Sequence, residues 1–227
     1  MKSIAIITAR GGSKRIPRKN IKDFCGKPII AYSIEAAKES NLFDEVMVST
    51  DDEEIASVAK GYGANVPFVR SAENSNDYAT TADVLHEVLA EYEKRGKSFD
   101  VMCCLYPTAP FVTGEKLNTA FDRFMESGMD GLVPVVRFSF PPQRCFVVEG
   151  GSLVYKWPLY KNERSQDLES LYHDAGQFYF WWVESFLTKK DRTRAPFLLD
   201  EMEVQDIDNL SDWQFAELKY RMLHPIG

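Results

Sequence analysis

An α/β fold with a mainly parallel, doubly wound sheet is predicted from two features of this 227-residue sequence. Short apolar runs suited to strands alternate with segments of helical periodicity, the rhythm of a sheet covered by helices on both faces. The first run also ends in a glycine-bearing cationic loop, and loops that follow strands gather at one edge of such sheets, where ligands bind.

Ser3 to Thr8 opens the pattern, because Ile4-Ala5-Ile6-Ile7 is an unbroken apolar run of the kind buried on both faces. A helix follows over Ile29 to Ser40, then a strand over Glu45 to Thr50 and a helix over Asp52 to Tyr62 with Asp51 as its N-cap. A strand over Val66 to Val69 leads to a helix over Thr81 to Arg95, capped by Thr80 or Thr81. Val101 to Leu105 is the next strand, and its Cys103 and Cys104 point to opposite faces as core thiols. Thr113 caps a helix over Glu115 to Ser127, and Gly131 to Val136 forms a strand. His86 falls within a helical pattern and is read as a packing residue.

The rhythm breaks between Arg137 and Tyr172, a stretch of Pro, aromatic and charged residues. It is read as an insertion that leaves the sheet and packs on a second subunit, the plainer alternative being a long surface loop. Strands resume at Gln177 to Trp182 and near Leu198 to Val204, and a helix over Asp212 to Leu223 closes the chain. No repeat or linker divides the sequence, so residues 1–227 are expected to form a single domain carrying the 137–172 insertion.

Composition narrows the function. Hydrophobic content of 44% and charged content of 27% suit an ordinary globular protein. No apolar run is long enough to span a membrane, and the N-terminal apolar run is too short for a signal peptide, so a cytoplasmic protein is expected. The four cysteines show no C-x-x-C spacing, which disfavours a zinc site or a disulfide framework. A net charge of −7 argues against general nucleic-acid binding.

Against that acidity, seven Lys or Arg and only one acidic residue, Asp23, lie between Arg10 and Lys27. Gly11 and Gly12 let the backbone turn and approach a ligand closely. A polyphosphate is therefore the expected ligand of this loop. The loop lacks G-x-x-x-x-G-K-[ST] and the third glycine of G-x-G-x-x-G, which disfavours a P-loop NTPase and a dinucleotide dehydrogenase. A second feature is Val204-Gln205-Asp206-Ile207-Asp208. In extended chain, Asp206 and Asp208 share one face while Ile207 turns to the core, and such paired carboxylates suit Mg²⁺ bridging to substrate phosphates.

Ala9-Arg10-Gly11-Gly12-Ser13-Lys14 with Lys19-Asn20 resembles the signature loop of the sugar-acid cytidylyltransferases, the family that includes the CMP-sialic acid synthetases. Lys27-Pro28, Ser49-Thr50-Asp51, Pro107-Thr108-Ala109-Pro110 and Asp206-Ile207-Asp208 extend the resemblance nearly end to end. Tyr106 stands where N-acetylneuraminate enzymes usually carry Gln, Val112 where they often carry Arg, and His173-Asp174-Ala175-Gly176 where they tend to have Arg-Pro-Asn-Gly. Cys103-Cys104-Leu105-Tyr106, Gln166-Asp167-Leu168, Tyr172-His173-Asp174-Ala175-Gly176 and Glu203-Val204-Gln205-Asp206-Ile207-Asp208 instead resemble the branch that acts on pseudaminic acid.

The resemblance implies a Rossmann-like nucleotidyltransferase fold, a homodimer, and Mg²⁺-dependent CMP transfer from CTP to a nonulosonic acid. It implies Arg10, Lys19 and Asp208 as catalytic residues. Ala9, Arg10, Gly11, Gly12, Ser13, Lys19, Asn20, Arg70, Thr80 and Thr81 would bind the nucleotide, Asn20 either directly or by fixing the loop. Tyr106, His173, Asp174 and Gln177 would face the sugar, the alternatives being a core aromatic at Tyr106, a structural histidine at His173 and a strand-face hydrogen bond at Gln177; Asp206 and Asp208 would face the metal. Lys14, Arg15 and Arg18 are expected to be solvated, and Asp77 and Tyr78 to serve as turn residues at least.

Overall fold

The unbroken apolar run at the N-terminus needs cover on both sides, and it has it. In the computed structural model, which describes residues 1–225, β1 (Ser3–Thr8) lies inside a seven-stranded sheet. A small β2 (Asp23–Phe24) and β3 (Lys27–Pro28) hairpin leads into α1 (Ile29–Glu39), followed by β4 (Glu45–Ser49) and α2 (Glu53–Gly61). Next come α3 (Thr81–Lys94), β5 (Val101–Leu105), α4 (Gly114–Ser127) and β6 (Gly131–Arg137). The chain then forms β7 (Phe146–Glu149), β8 (Ser152–Tyr155), β9 (Tyr172–Asp174) and β10 (Phe178–Trp182). It closes through α5 (Val183–Thr188), β11 (Arg194–Leu198) and α6 (Leu210–Leu223).

The sheet order is β11-β6-β10-β5-β1-β4, with β9 added along the far half of β6. Strands β4, β1, β5, β6 and β11 run one way, and β10 and β9 oppose them. The pleat sorts each strand between two cores. Ala5, Ile7, Cys103 and Leu105 pack with α1, α2 and α4 on one face. Ile4, Ile6, Met102 and Cys104 pack with α3 and α5 on the other. His86 is exposed at the edge of that second face, with its ring 4.7 Å from Phe186 and tilted 35° to it.

Three details differ from the sequence reading. Residues 66–69 form no strand, only a single bridge from Met47 to Asn65, because Pro67 lacks the N–H that would continue the ladder. The last strand is Arg194–Leu198, and Asp200 then bends the chain by accepting from Met202 N–H. The N-cap of α2 is Asp52, which accepts from Ile55 N–H, because Asp51 is used elsewhere. The caps of α3 and α4 are Thr80 and Thr113.

Between β6 and β9 the chain leaves the central sheet. β7 and β8 pair only with each other around Gly150 and Gly151, whose positive φ angles of 56° and 80° make the turn. Phe140, Val148, Leu153 and Leu159 are exposed here.

A third cluster positions the site. Ile16 from the cationic loop, Phe24 from β2, Phe111, Ile207 and Trp213 of α6 are all buried together. This seam fastens the segment bearing Asp206 and Asp208 against the loop that begins at Arg10.

Candidate functional site

The cationic loop leaves β1 at the carboxyl edge of the sheet. Ala9 extends the strand by one bond, its N–H donating to Ser49 O at 3.0 Å, and its methyl lies in the core. Gly11 is packed so closely that a Cβ would meet Asp52 Oδ2 at 2.8 Å, whereas Gly12 has nothing within 4 Å of that position. Gly11 N–H donates to Asp51 Oδ1 at 2.9 Å, and Ser13 N–H donates to Gly11 O at 3.0 Å. The Gly11 and Ser13 N–H groups are thus engaged within the protein. Asn20 is buried and its amide donates to Arg10 O at 2.9 Å, so it fixes the loop.

The loop's charges are paired rather than simply solvated. Arg10 donates to Asp77 Oδ1 at 2.9 Å and to Asn76 O at 3.0 Å, and Lys14 reaches the other oxygen of Asp77. Arg15 pairs with Asp208 at 2.9 Å. Arg18, in the left-handed region at φ 55°, pairs with Asp52 at 2.5 Å and also with Glu54. Hydrogen bonding from Arg18 holds the Asp52 carboxyl down at about 2. Lys19 turns inward, its ammonium donating to Ile207 O at 2.6 Å. Burial pushes the Lys19 pKa down, while Asp208 and then Asp206 push it back up, so both carboxylates act on that ammonium.

These groups surround a cavity of 660 Å³ lined by Arg10, Lys14, Lys19, Thr81, Tyr106 and Asp208, among others. Pro107 and Thr108 of the third resembling segment also line it. A second cavity of 250 Å³ lies alongside, lined by Arg70, Asn76, Thr80 and Thr81. Thr8, Arg10, Asp77 and Thr81 belong to both, so the Arg10–Asp77 bridge partitions them. Arg70 is buried beside the second cavity, donating to Ser49 Oγ at 3.0 Å and to Ser49 O. Burial lowers its pKa to about 10, which leaves it cationic at neutral pH. The Thr80 hydroxyl is committed to the α3 cap, accepting from Asp83 N–H and donating to the Asp83 carboxylate.

Of the sugar-facing candidates, Tyr106 alone lines the main cavity. His173 is exposed and packs 4.9 Å from Phe138 at the start of the insertion. Asp174 accepts from the Tyr179 hydroxyl at 2.7 Å and from Gly176 N–H at 2.8 Å. Gln177 is buried beneath the aspartate segment, its amide donating to Glu203 O at 2.5 Å.

Asp206 and Asp208 flank Ile207 as the alternation requires: Ile207 is 1% exposed while both carboxylates reach solvent. Among the described residues no cluster of three or more His, Cys, Asp or Glu could hold a metal. Asp208 lines the main cavity and Asp206 lies exposed two residues before it, a hard-oxygen pair that fits Mg²⁺ once Arg15 gives up Asp208, since that ion takes one or two protein carboxylates and completes its shell with phosphate and water. The sequence reading missed Asp77, Asp52 and Glu54 as counter-ions of the loop. Each lies more than 30 residues from its partner, and nothing local in sequence marks the pairing.

The model of the family described as Cytidylyltransferase matches residues 4–180. The pseudaminic acid cytidylyltransferase of Campylobacter jejuni subsp. jejuni serotype O:2 is 44% identical over 99% of this chain and 98% of its own. The CMP-N,N'-diacetyllegionaminic acid synthase of Legionella pneumophila is 36% identical over 96% of this chain and 95% of its own. Among solved structures, a CMP:2-keto-3-deoxy-manno-octonic acid synthetase complexed with CTP superposes with a TM-score of 0.70, covering 100% of both chains at 18% identity. That last likeness concerns the fold alone.

Proposed function

This chain belongs to the cytidylyltransferase family, and on that premise we propose that it transfers CMP from CTP to pseudaminic acid, giving CMP-pseudaminic acid and pyrophosphate. The observation that carries the reading is the 44% identity to a pseudaminic acid cytidylyltransferase over nearly the whole of both chains. The facing of a cationic loop and an aspartate across one cavity supplies chemistry of the right kind.

In this reaction the anomeric oxygen of the sugar acid forms a bond to the α-phosphorus as the bond to pyrophosphate breaks, and the hydroxyl proton leaves. Catalysis of phosphoryl transfer is mostly positioning and charge stabilisation. Arg10 and Lys19 bind the triphosphate, with the Arg10 guanidinium exchanging the Asp77 carboxylate for phosphate oxygens. Lys14 remains on the other oxygen of Asp77 and neutralises the carboxylate that Arg10 leaves. The cytosine lies in the smaller cavity against Thr80 and Thr81, where Arg70 keeps the wall rigid. Tyr106 borders the sugar acid, while the proposed sugar contacts of Asp174 and His173 rest on the family resemblance, since neither lines the cavity. Asp206 and Asp208 would hold a divalent metal, proposed to be Mg²⁺, with Asp208 exchanging Arg15 for it. When bound, that ion offsets phosphate charge and makes the attacking hydroxyl more acidic.

The proposed assembly is a homodimer through the 137–172 insertion, supported by the exposed Phe140, Val148, Leu153 and Leu159 of that stretch. A cytoplasmic location is proposed as well, as the compartment that supplies the CTP the reaction consumes. No helix among the described residues is long and apolar enough to cross a membrane. The test is pyrophosphate release from CTP and Mg²⁺ with pseudaminic, N,N'-diacetyllegionaminic or N-acetylneuraminic acid. Release with pseudaminic acid alone supports the proposal. Release only with another acid keeps the reaction class and overturns the substrate.

A further inference from the structure

Residues 204–207 lead to Asp208 at the cavity as chain that belongs to no strand, between a 3-10 turn at Glu201–Glu203 and α6. Carbonyls without a sheet ladder must find donors elsewhere. Here side chains from three separate parts of the fold supply them. Lys219 of α6 donates to Val204 O at 2.7 Å and to Glu201 O at 3.0 Å. The Gln177 amide, from the residue before β10, donates to Glu203 O at 2.5 Å. Lys19 donates to Ile207 O at 2.6 Å. The Glu203 carboxylate is held in turn by Lys116 of α4 at 3.1 Å.

We propose that Lys219 and Gln177 are positioning residues that hold the 201–208 segment, and with it Asp206 and Asp208, in place for a metal that takes Asp208 over from Arg15. The inference rests on the reading of those two aspartates as metal ligands. Lys19 already faces the cavity, so it belongs to the binding machinery. Lys219 and Gln177 line neither cavity and act only through the backbone they hold. Lys219 matters because one cation spans two carbonyls, and a charge-assisted bond is roughly twice as strong as a neutral one. The hydrogen bond made by Gln177 assigns it to the segment rather than to the sugar. Its Oε1 is buried without a partner, so removing the amide also removes an unsatisfied polar atom.

The experiment uses the full chain with Lys219→Met, Lys219→Arg, Gln177→Met and Asp208→Asn. Mn²⁺ binding in the presence of CTP is read by electron paramagnetic resonance, beside thermal melting and the CTP KM at saturating Mg²⁺. Outer-shell changes at metal sites weaken affinity by about 10- to 100-fold. Lys219→Met and Gln177→Met are expected to weaken Mn²⁺ binding about tenfold, with the CTP KM within about twofold of wild type. Lys219→Arg restores the affinity. Gln177→Met is the variant that separates roles, because its loss of metal affinity exceeds what any fall in its melting temperature accounts for. A folded Gln177→Met protein with unchanged Mn²⁺ affinity overturns the inference while Asp208→Asn still abolishes binding. Wild-type Mn²⁺ affinity in Asp208→Asn overturns the metal reading beneath it.

Discussion

Replacing Ile207 with Ala tests the seam that joins the two charged halves of the site. Ile207 is 1% exposed and packs with Ile16, Phe24, Phe111 and Trp213. The substitution removes about three methylene-sized groups, each worth ~0.8 kcal/mol of burial, or roughly 2.4 kcal/mol in all. The cavity left behind adds to this, and Ile→Ala changes in cores cost about 2–5 kcal/mol. A loss of about 3 kcal/mol is therefore expected, which for a chain of this length lowers Tm by roughly 6–12 °C. Urea denaturation with an unchanged slope and a lower midpoint is the assay. Ile207→Val provides the milder arm, at about 0.5–1.5 kcal/mol. A loss below about 1 kcal/mol in the Ala variant would refute the claim that this side chain anchors the aspartate segment.

Two further outcomes follow from the charge pairs. Asp77→Asn frees Arg10 and Lys14 of the carboxylate they share, so the CTP KM is expected to fall a few-fold at low salt, with the difference shrinking as salt rises. An unchanged or higher KM would show that Asp77 does not compete with the nucleotide. Asp52 is held at about 2, mainly by its hydrogen bond from Arg18. A carboxyl depressed on folding contributes stability above its unfolded pKa, near 4, and that contribution is lost as pH falls towards 2. Arg18→Met is therefore expected to lose less stability than wild type between pH 6 and pH 3, as read from urea midpoints. Parallel curves for the two proteins would remove Arg18 as the cause.

Local pattern carried much of the fold into the sequence. The apolar run of β1, the run Val101–Leu105 and the caps Thr80 and Thr113 each depend on neighbours in the chain, and each stands where the pattern put it. The opposite burial of Cys103 and Cys104 follows from strand pleat alone. Pro67, within its own run, stops the ladder after a single bridge at Asn65, a local effect that the apolar pattern of 66–69 masks. The other differences depend on distant partners. Asp52 rather than Asp51 became the cap because Asp51 is drawn to Gly11 N–H. The cavity was legible as a cationic loop facing Asp208, but Asp77 as the loop's internal counter-ion was not, since the two meet only in the folded chain. Gln177 looked like a strand-end polar residue near the sugar, and its burial under Glu203 turned it towards the protein.

The most direct test of the account is a crystal structure of the protein with CTP and Mg²⁺. The account expects the triphosphate between Arg10, Lys19 and Asp208, Arg10 released from Asp77, and cytosine against Thr80 and Thr81. Nucleotide bound elsewhere, with Arg10 still paired to Asp77, would contradict it.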